Sequence, residues 1–148
     1  WEKDFVPDTF KDLKRIIGDA YFSNLTNEKG LNTLRNIRGG ASFPNLMSAK
    51  GLENLRYIGG YADFKNLTNA QDLNNLRCIN GTAYFDKLMS AEGLGSLQSI
   101  GREAYFYRLT SAEHLCNLKY IGFGLIFEKL KSTKGLENIN IDYMDSNR

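Results

Sequence analysis

Apolar residues recur along this chain at a fixed interval of 21 positions. Phenylalanine stands at Phe22, Phe43, Phe64, Phe85, Phe106 and Phe127, and isoleucine at Ile16, Ile37, Ile58, Ile79, Ile100 and Ile121. Leucine fills Leu25, Leu46, Leu67, Leu88, Leu109 and Leu130, and again Leu31, Leu52, Leu73, Leu94, Leu115 and Leu136. A further column runs Leu34, Leu55, Leu76, Leu97, Leu118 and Ile139; an alanine column runs from Ala20 to Ala104 before Leu125 replaces it. A generic core needs periodicity only within each helix or strand. Columns held in register without an insertion require a stack of 21-residue coils, each burying its apolar residues against its neighbours.

One coil shows its own shape. In GGYADFKNL, Gly59 to Leu67, Ala62 and Phe64 lie two apart and point inward, while Tyr61, Asp63 and Lys65 point out. That alternation is the signature of a strand. Leu67, Ala70, Leu73, Leu76 and Ile79 then follow at intervals of three, which fits tight turns, 3₁₀ segments or extended pieces better than an α-helix of period 3.6. The glycines Gly39-Gly40, Gly59-Gly60, Gly81 and Gly101 precede the strands, where a sharp bend and often a positive φ are expected.

The run L-x-x-L-x-x-I-G-G-x-A-x-F-x-N-L from Leu52 to Leu67 resembles the leucine-rich repeat superfamily, above all its short bacterial variety and the related receptor L-domain. The resemblance covers about residues 10–140. It departs in placing alanine and phenylalanine where strand leucines are usual. Asn24, Asn45 and Asn66 also give way to Lys87, Arg108 and Lys129, which leaves the family's asparagine ladder incomplete.

The expected fold is therefore a β-rich, leucine-rich-repeat-like right-handed coil. One parallel sheet of about six strands lines one face, with short turns, 3₁₀ or extended segments on the other. The strands should span roughly 24 Å at about 4.8 Å per step. A single domain covers 1–148: an N-terminal cap and half repeat over 1–16, repeats over 17–139, and a tail or cap over 140–148. Trp1, Phe5 and Val6 are the expected capping contacts, and Asp8 a candidate helix N-cap. After Ile139 the pattern degrades, with Ile141, Tyr143 and Met144 out of register.

At 148 residues, with 42% hydrophobic and 24% charged residues, the chain can bury a core unaided. Its formal charge of +2 does not by itself call for nucleic acid or anionic lipid. No stretch reaches the roughly 20 apolar residues of a membrane span, so none is expected. The chain begins at Trp1 and not at a methionine, which fits a mature product or an excised piece and leaves its compartment open. Cys78 and Cys116 match no metal or redox spacing and are expected on the outer surface, unpaired.

Catalytic constellations are absent from the sequence. His114, the one histidine, occupies a column otherwise held by Gly30, Gly51, Gly93, Gly135 and Asp72, which marks a turn. No P-loop, GxSxG, HExxH or EF-hand pattern occurs, and neither metal nor cofactor is expected.

Recognition must then be written in the outward positions. Three strand-face columns read Asp19, Gly40, Tyr61, Thr82, Glu103, Gly124; Tyr21, Ser42, Asp63, Tyr84, Tyr105, Ile126; and Ser23, Pro44, Lys65, Asp86, Tyr107, Glu128. They hold five of the eight tyrosines, residues that give large contact area at low conformational cost. Tyrosine also simply favours strands, but like-charged carboxylates on one face stabilise a sheet poorly. The expected ligand site is Tyr61, Asp63, Lys65, Tyr84, Asp86, Glu103, Tyr105 and Tyr107, with Gly40, Ser42 and Pro44 as a shallow end. The expectation is a non-enzymatic module for a protein or peptide ligand. A glycan ligand and a passive spacer in a larger surface protein are the alternatives, and nucleic acid is not expected. A second ladder, Lys14, Arg35, Arg56, Arg77, Gln98 and Lys119, is basic; it calls for an anionic partner or for neutralising carbonyl and carboxylate neighbours.

Overall fold

A computed structural model describes residues 12–23, 25 and 31–141. The expected cap of Trp1, Phe5, Val6 and Asp8 lies outside these residues, as do Tyr143 and Met144.

The chain winds as a β-solenoid of about six turns, and the coils meet through two parallel sheets. One is built on the alanine and phenylalanine columns: Ala20–Tyr21, Ala41–Ser42, Ala62–Asp63, Ala83–Tyr84, Glu103–Phe106 and Gly124–Phe127. It is the sheet expected from the alternation, and we call it the tyrosine sheet after its outward face. The other was not foreseen. It runs through the isoleucine column as Arg15–Ile16, Asn36–Ile37, Tyr57–Ile58, Cys78–Ile79, Ser99–Ile100, Tyr120–Ile121 and Asn140–Ile141. Its strands are two residues long, too short to show an alternation along the sequence.

Partners in both sheets are offset by 21 residues, as in Ile37↔Ile58 and Ala62↔Ala83. The last pairing is the exception, because Ile121 faces Ile141, an offset of 20. Ile141, out of register by count, therefore takes the isoleucine place of the final coil after a one-residue shortening.

The spacing of three on the back has a direct cause. The amides of Leu52 and Leu55 bond to the carbonyls of Ala49 and Leu52 at 2.9 and 3.0 Å, and those of Leu73 and Leu76 to Ala70 and Leu73 at 2.8 and 2.9 Å. Each three-residue step is thus closed by its own turn, and every third side chain returns to the core. Among the described residues, two coils tighten further into 3₁₀ helices, Gln71–Leu73 and Glu113–Leu115.

These helices lie where the turn column holds Asp72 and His114. Where that column holds glycine, at Gly51, Gly93 and Gly135, φ is +92°, +96° and +100°. No other described residue has a positive φ, which L side chains resist. The glycines before the strands serve a different need from the one expected. A Cβ at Gly59 would strike the carbonyl oxygen of Arg38, and one at Gly101 that of Asn80, so they are small because the preceding coil passes against them.

The phenylalanine rings stack along the axis, with Phe22–Phe43 at 4.9 Å and Phe43–Phe64 at 5.1 Å between centroids. From Leu31 to Ile121 the leucine, isoleucine and phenylalanine columns are closed to solvent, and the described core contains no polar residue. In the last coil Leu125, Phe127, Leu130, Leu136 and Ile139 are only partly covered. No described helix is long and apolar enough to cross a membrane.

Side-chain amides brace the turns. Asn45 and Asn66 donate to the carbonyls of Ser23 and Pro44, the incomplete ladder anticipated above. A second ladder escaped the sequence reading: Asn54, Asn75 and Asn117 each donate at 2.6 Å to the carbonyl 22 residues earlier. Its signal was the same 21-residue recurrence, read in a polar column.

Candidate functional site

The tyrosine sheet packs Ala62, Phe64, Ala83 and Phe85 inward, and pleating forces the residues between them outward. Parallel pairing then sets these side chains in rows one coil apart. Asp63 faces Tyr84, and Tyr84 faces Tyr105.

The expected residues divide into three groups. Tyr84, Tyr105 and Tyr107 form an aromatic platform. The first two rings stack at 5.2 Å with 2° between planes, and Tyr107 meets Tyr105 at 5.7 Å, tilted by 43°. Beside the platform, Tyr61, Asp63, Lys65, Thr82, Tyr84 and Asp86 line a groove of about 560 Å³. Thr82 is the groove residue that the sequence reading passed over, although it stands in one of the three outward columns.

Glu103 is not among the groove-lining residues but is tied to one of them, Thr82. Its carboxylate accepts a 2.8 Å hydrogen bond from the Thr82 hydroxyl and lies 3.9 Å from Arg102 Nε. The Thr82 hydrogen bond, with help from a backbone hydrogen bond and from Arg102, holds its pKa below the usual carboxylate value. Arg102 in turn lies over the Phe123 ring at 5.3 Å. Glu103 is therefore committed to Thr82 and Arg102.

The groove carboxylates differ in their state. Asp63 pairs with Lys65 two positions on, at 3.7 Å, and accepts the Lys65 amide at 3.2 Å. Asp86 Oδ1 is enclosed and has no hydrogen-bond partner among the described residues. Desolvation, then the charge of Asp63, raises the Asp86 pKa, while Lys65 opposes the shift. Burial and the charge of Asp86 likewise raise the Tyr107 phenol.

Tyr61 leans towards the N-terminal coils. Its ring occupies the space that a Cβ at Gly40 would need, so the coil expected to be shallow is filled from its neighbour. Below it, Tyr21 donates to Asp19 Oδ2 at 3.2 Å, and Asp19 Oδ1 accepts the Gly40 amide at 2.7 Å. Burial first, then the hydrogen bond with Tyr21 and the charges of Asp19 and Asp63, pushes the Tyr61 phenol up to about 12.

His114 is exposed within its 3₁₀ turn. Cys116 is exposed and Cys78 half-buried; both are free. Cys78 Sγ lies 3.1 Å from Asn80 Oδ1 and 3.0 Å from Ser99 Oγ.

Comparison with protein-family models, with curated proteins and with solved structures finds no match to this chain.

Proposed function

We propose that this chain is a non-enzymatic recognition module of the leucine-rich-repeat type that binds a protein or peptide ligand across the tyrosine sheet. The observation that carries this reading is the platform of Tyr84, Tyr105 and Tyr107 beside the groove of Asp63 and Asp86. Rings held by mutual stacking lose little freedom when a ligand covers them, which is the property that enriches tyrosine at interfaces. The carboxylates at the groove accept hydrogen bonds and complement basic groups on a partner. The repeat assignment is supported by the unbroken apolar columns and the glycine turns that accompany them.

A second reading, a glycan ligand, is favoured by one feature. The stacked rings of Tyr84 and Tyr105, with the carboxylates of Asp63 and Asp86 in the adjoining groove, offer apolar edges beside hydrogen-bonding groups, which suits a sugar ring equally well.

Selection of a displayed peptide library on the immobilised chain, run in parallel with a glycan array, separates the two. Peptides that lose affinity for the Tyr84→Ala/Tyr105→Ala variant support the first reading. Sugar binding lost in the same variant supports the second. Silence in both assays marks the face as a spacer and ends the proposal.

A further inference from the structure

The isoleucine sheet has an outer border that the tyrosine face does not share. Lys14, Arg35, Arg56, Arg77, Gln98 and Lys119 stand one per coil beside it, and each is exposed. Their backbones are joined directly: the amides of Arg35, Arg56, Arg77 and Gln98 bond to the carbonyls of Lys14, Arg35, Arg56 and Arg77 at 2.8–2.9 Å. The pitch of the row is thus fixed by the hydrogen-bond ladder at about 4.8 Å.

Like charges at that pitch repel unless something neutralises them. Among the described residues, neutralising neighbours are missing here. On one flank Asn54, Asn75 and Asn117 are turned onto backbone carbonyls, and on the other lie Tyr57, Cys78 and Ser99. Glu53, three positions before Arg56, accepts the Gly51 amide at 2.9 Å instead. Among the described residues none of the guanidinium groups of Arg35, Arg56 and Arg77 has an ion pair or a hydrogen bond.

From this row we infer that the border of the isoleucine sheet binds a linear sulfated polysaccharide. Arginine forks engage oxyanions through two parallel hydrogen bonds, and a row of them at even pitch suits a chain that presents such groups repeatedly. The chemistry of the row disfavours other polyanions. It is one side chain wide, whereas a duplex offers two phosphodiester strands. It also lacks the continuous aromatic platform that single-stranded nucleic acid stacks on, since Tyr57 and Tyr120, the tyrosines next to the row, stand three coils apart. This site is independent of the tyrosine face.

The test is binding of heparin to the full chain by titration calorimetry over a series of salt concentrations, with oligo-dT and phosphatidylserine vesicles as competing probes. The Arg35→Gln/Arg56→Gln/Arg77→Gln variant should bind heparin at least about tenfold more weakly, and its log K against log salt slope should flatten by roughly 2 to 3. Arg56→Gln alone should give a graded loss, which keeps the test valid if the triple variant folds poorly. Lys87→Gln/Arg108→Gln/Lys129→Gln removes the same charge from a different exposed column and should leave binding nearly unchanged. The inference is overturned if heparin does not bind, if the two triple variants lose affinity equally, or if oligo-dT or the vesicles bind more tightly.

Discussion

Tyr84 and Tyr105 lie ring on ring, 5.2 Å apart and 2° from parallel, and one residue along the chain Phe85 and Phe106 repeat the stack at 5.2 Å and 9° on the opposite side of the sheet. The two stacks share a pitch and differ in what surrounds them. The phenylalanines are wholly enclosed, whereas the tyrosines face outward. Truncating Tyr84 or Tyr105 to alanine should cost no more than about 1 kcal/mol of stability each, whereas Phe85→Ala or Phe106→Ala should each cost about 3–5 kcal/mol. Denaturant unfolding curves of the four variants check the difference, and equal losses would show that the tyrosines serve the fold.

Gly101→Ala should destabilise even though Gly101 has an ordinary φ. The added Cβ meets the carbonyl oxygen of Asn80 in the coil before it, a backbone atom that cannot swing aside. Forcing the coils apart should cost about 1–3 kcal/mol. Gly124→Ala meets nothing within 4 Å and serves as the control. Thermal unfolding of both variants reads the contrast.

The two carboxylates Asp86 and Glu103 should respond to pH in opposite senses. Asp86 has a raised pKa when folded, so the native state holds its proton more tightly, and stability falls as pH rises from the ordinary carboxylate range to the raised value. Glu103 has a lowered pKa, so its contribution is present above the ordinary range and is lost as pH falls through the lowered value. Asp86→Asn should therefore be neutral or stabilising at neutral pH, and Glu103→Gln mildly destabilising. Unfolding midpoints measured across the acid range would contradict this if both variants shifted the same way.

Alkaline titration followed by tyrosinate absorbance should show Tyr61 ionising last, after Tyr107, whose phenol is also raised. Tyr61 is pushed up to about 12 from an ordinary 10.0 by burial and by its contact with Tyr21. Tyr61→Phe should remove that last step and leave the earlier ones in place.

Both cysteines should be alkylated without reductant, Cys116 faster than Cys78. Exposure explains the first, and the contacts of the Cys78 thiol with Asn80 and Ser99 explain the delay of the second. Mass spectrometry over a time course measures the order.

The linear sequence determined the stacked coils, because a core shared between neighbours must repeat with the coil, and Phe22 over Phe43 follows from that alone. It determined the outward placement of the tyrosines as well, through the alternation around Ala62 and Phe64. Other features needed the folded chain. The isoleucine sheet consists of two-residue strands, and its pairing partners lie 20 or 21 positions away, so no local pattern announces it. Ile141 reaches the isoleucine column only because pairing with Ile121 absorbs a missing residue. The site divided for the same reason. Tyr61, Thr82 and Glu103 share one column in the sequence, yet Tyr61 fills the space above Gly40 and Glu103 turns to Thr82. Column position fixes which way a side chain leaves the backbone, and contacts across the coils decide where it ends.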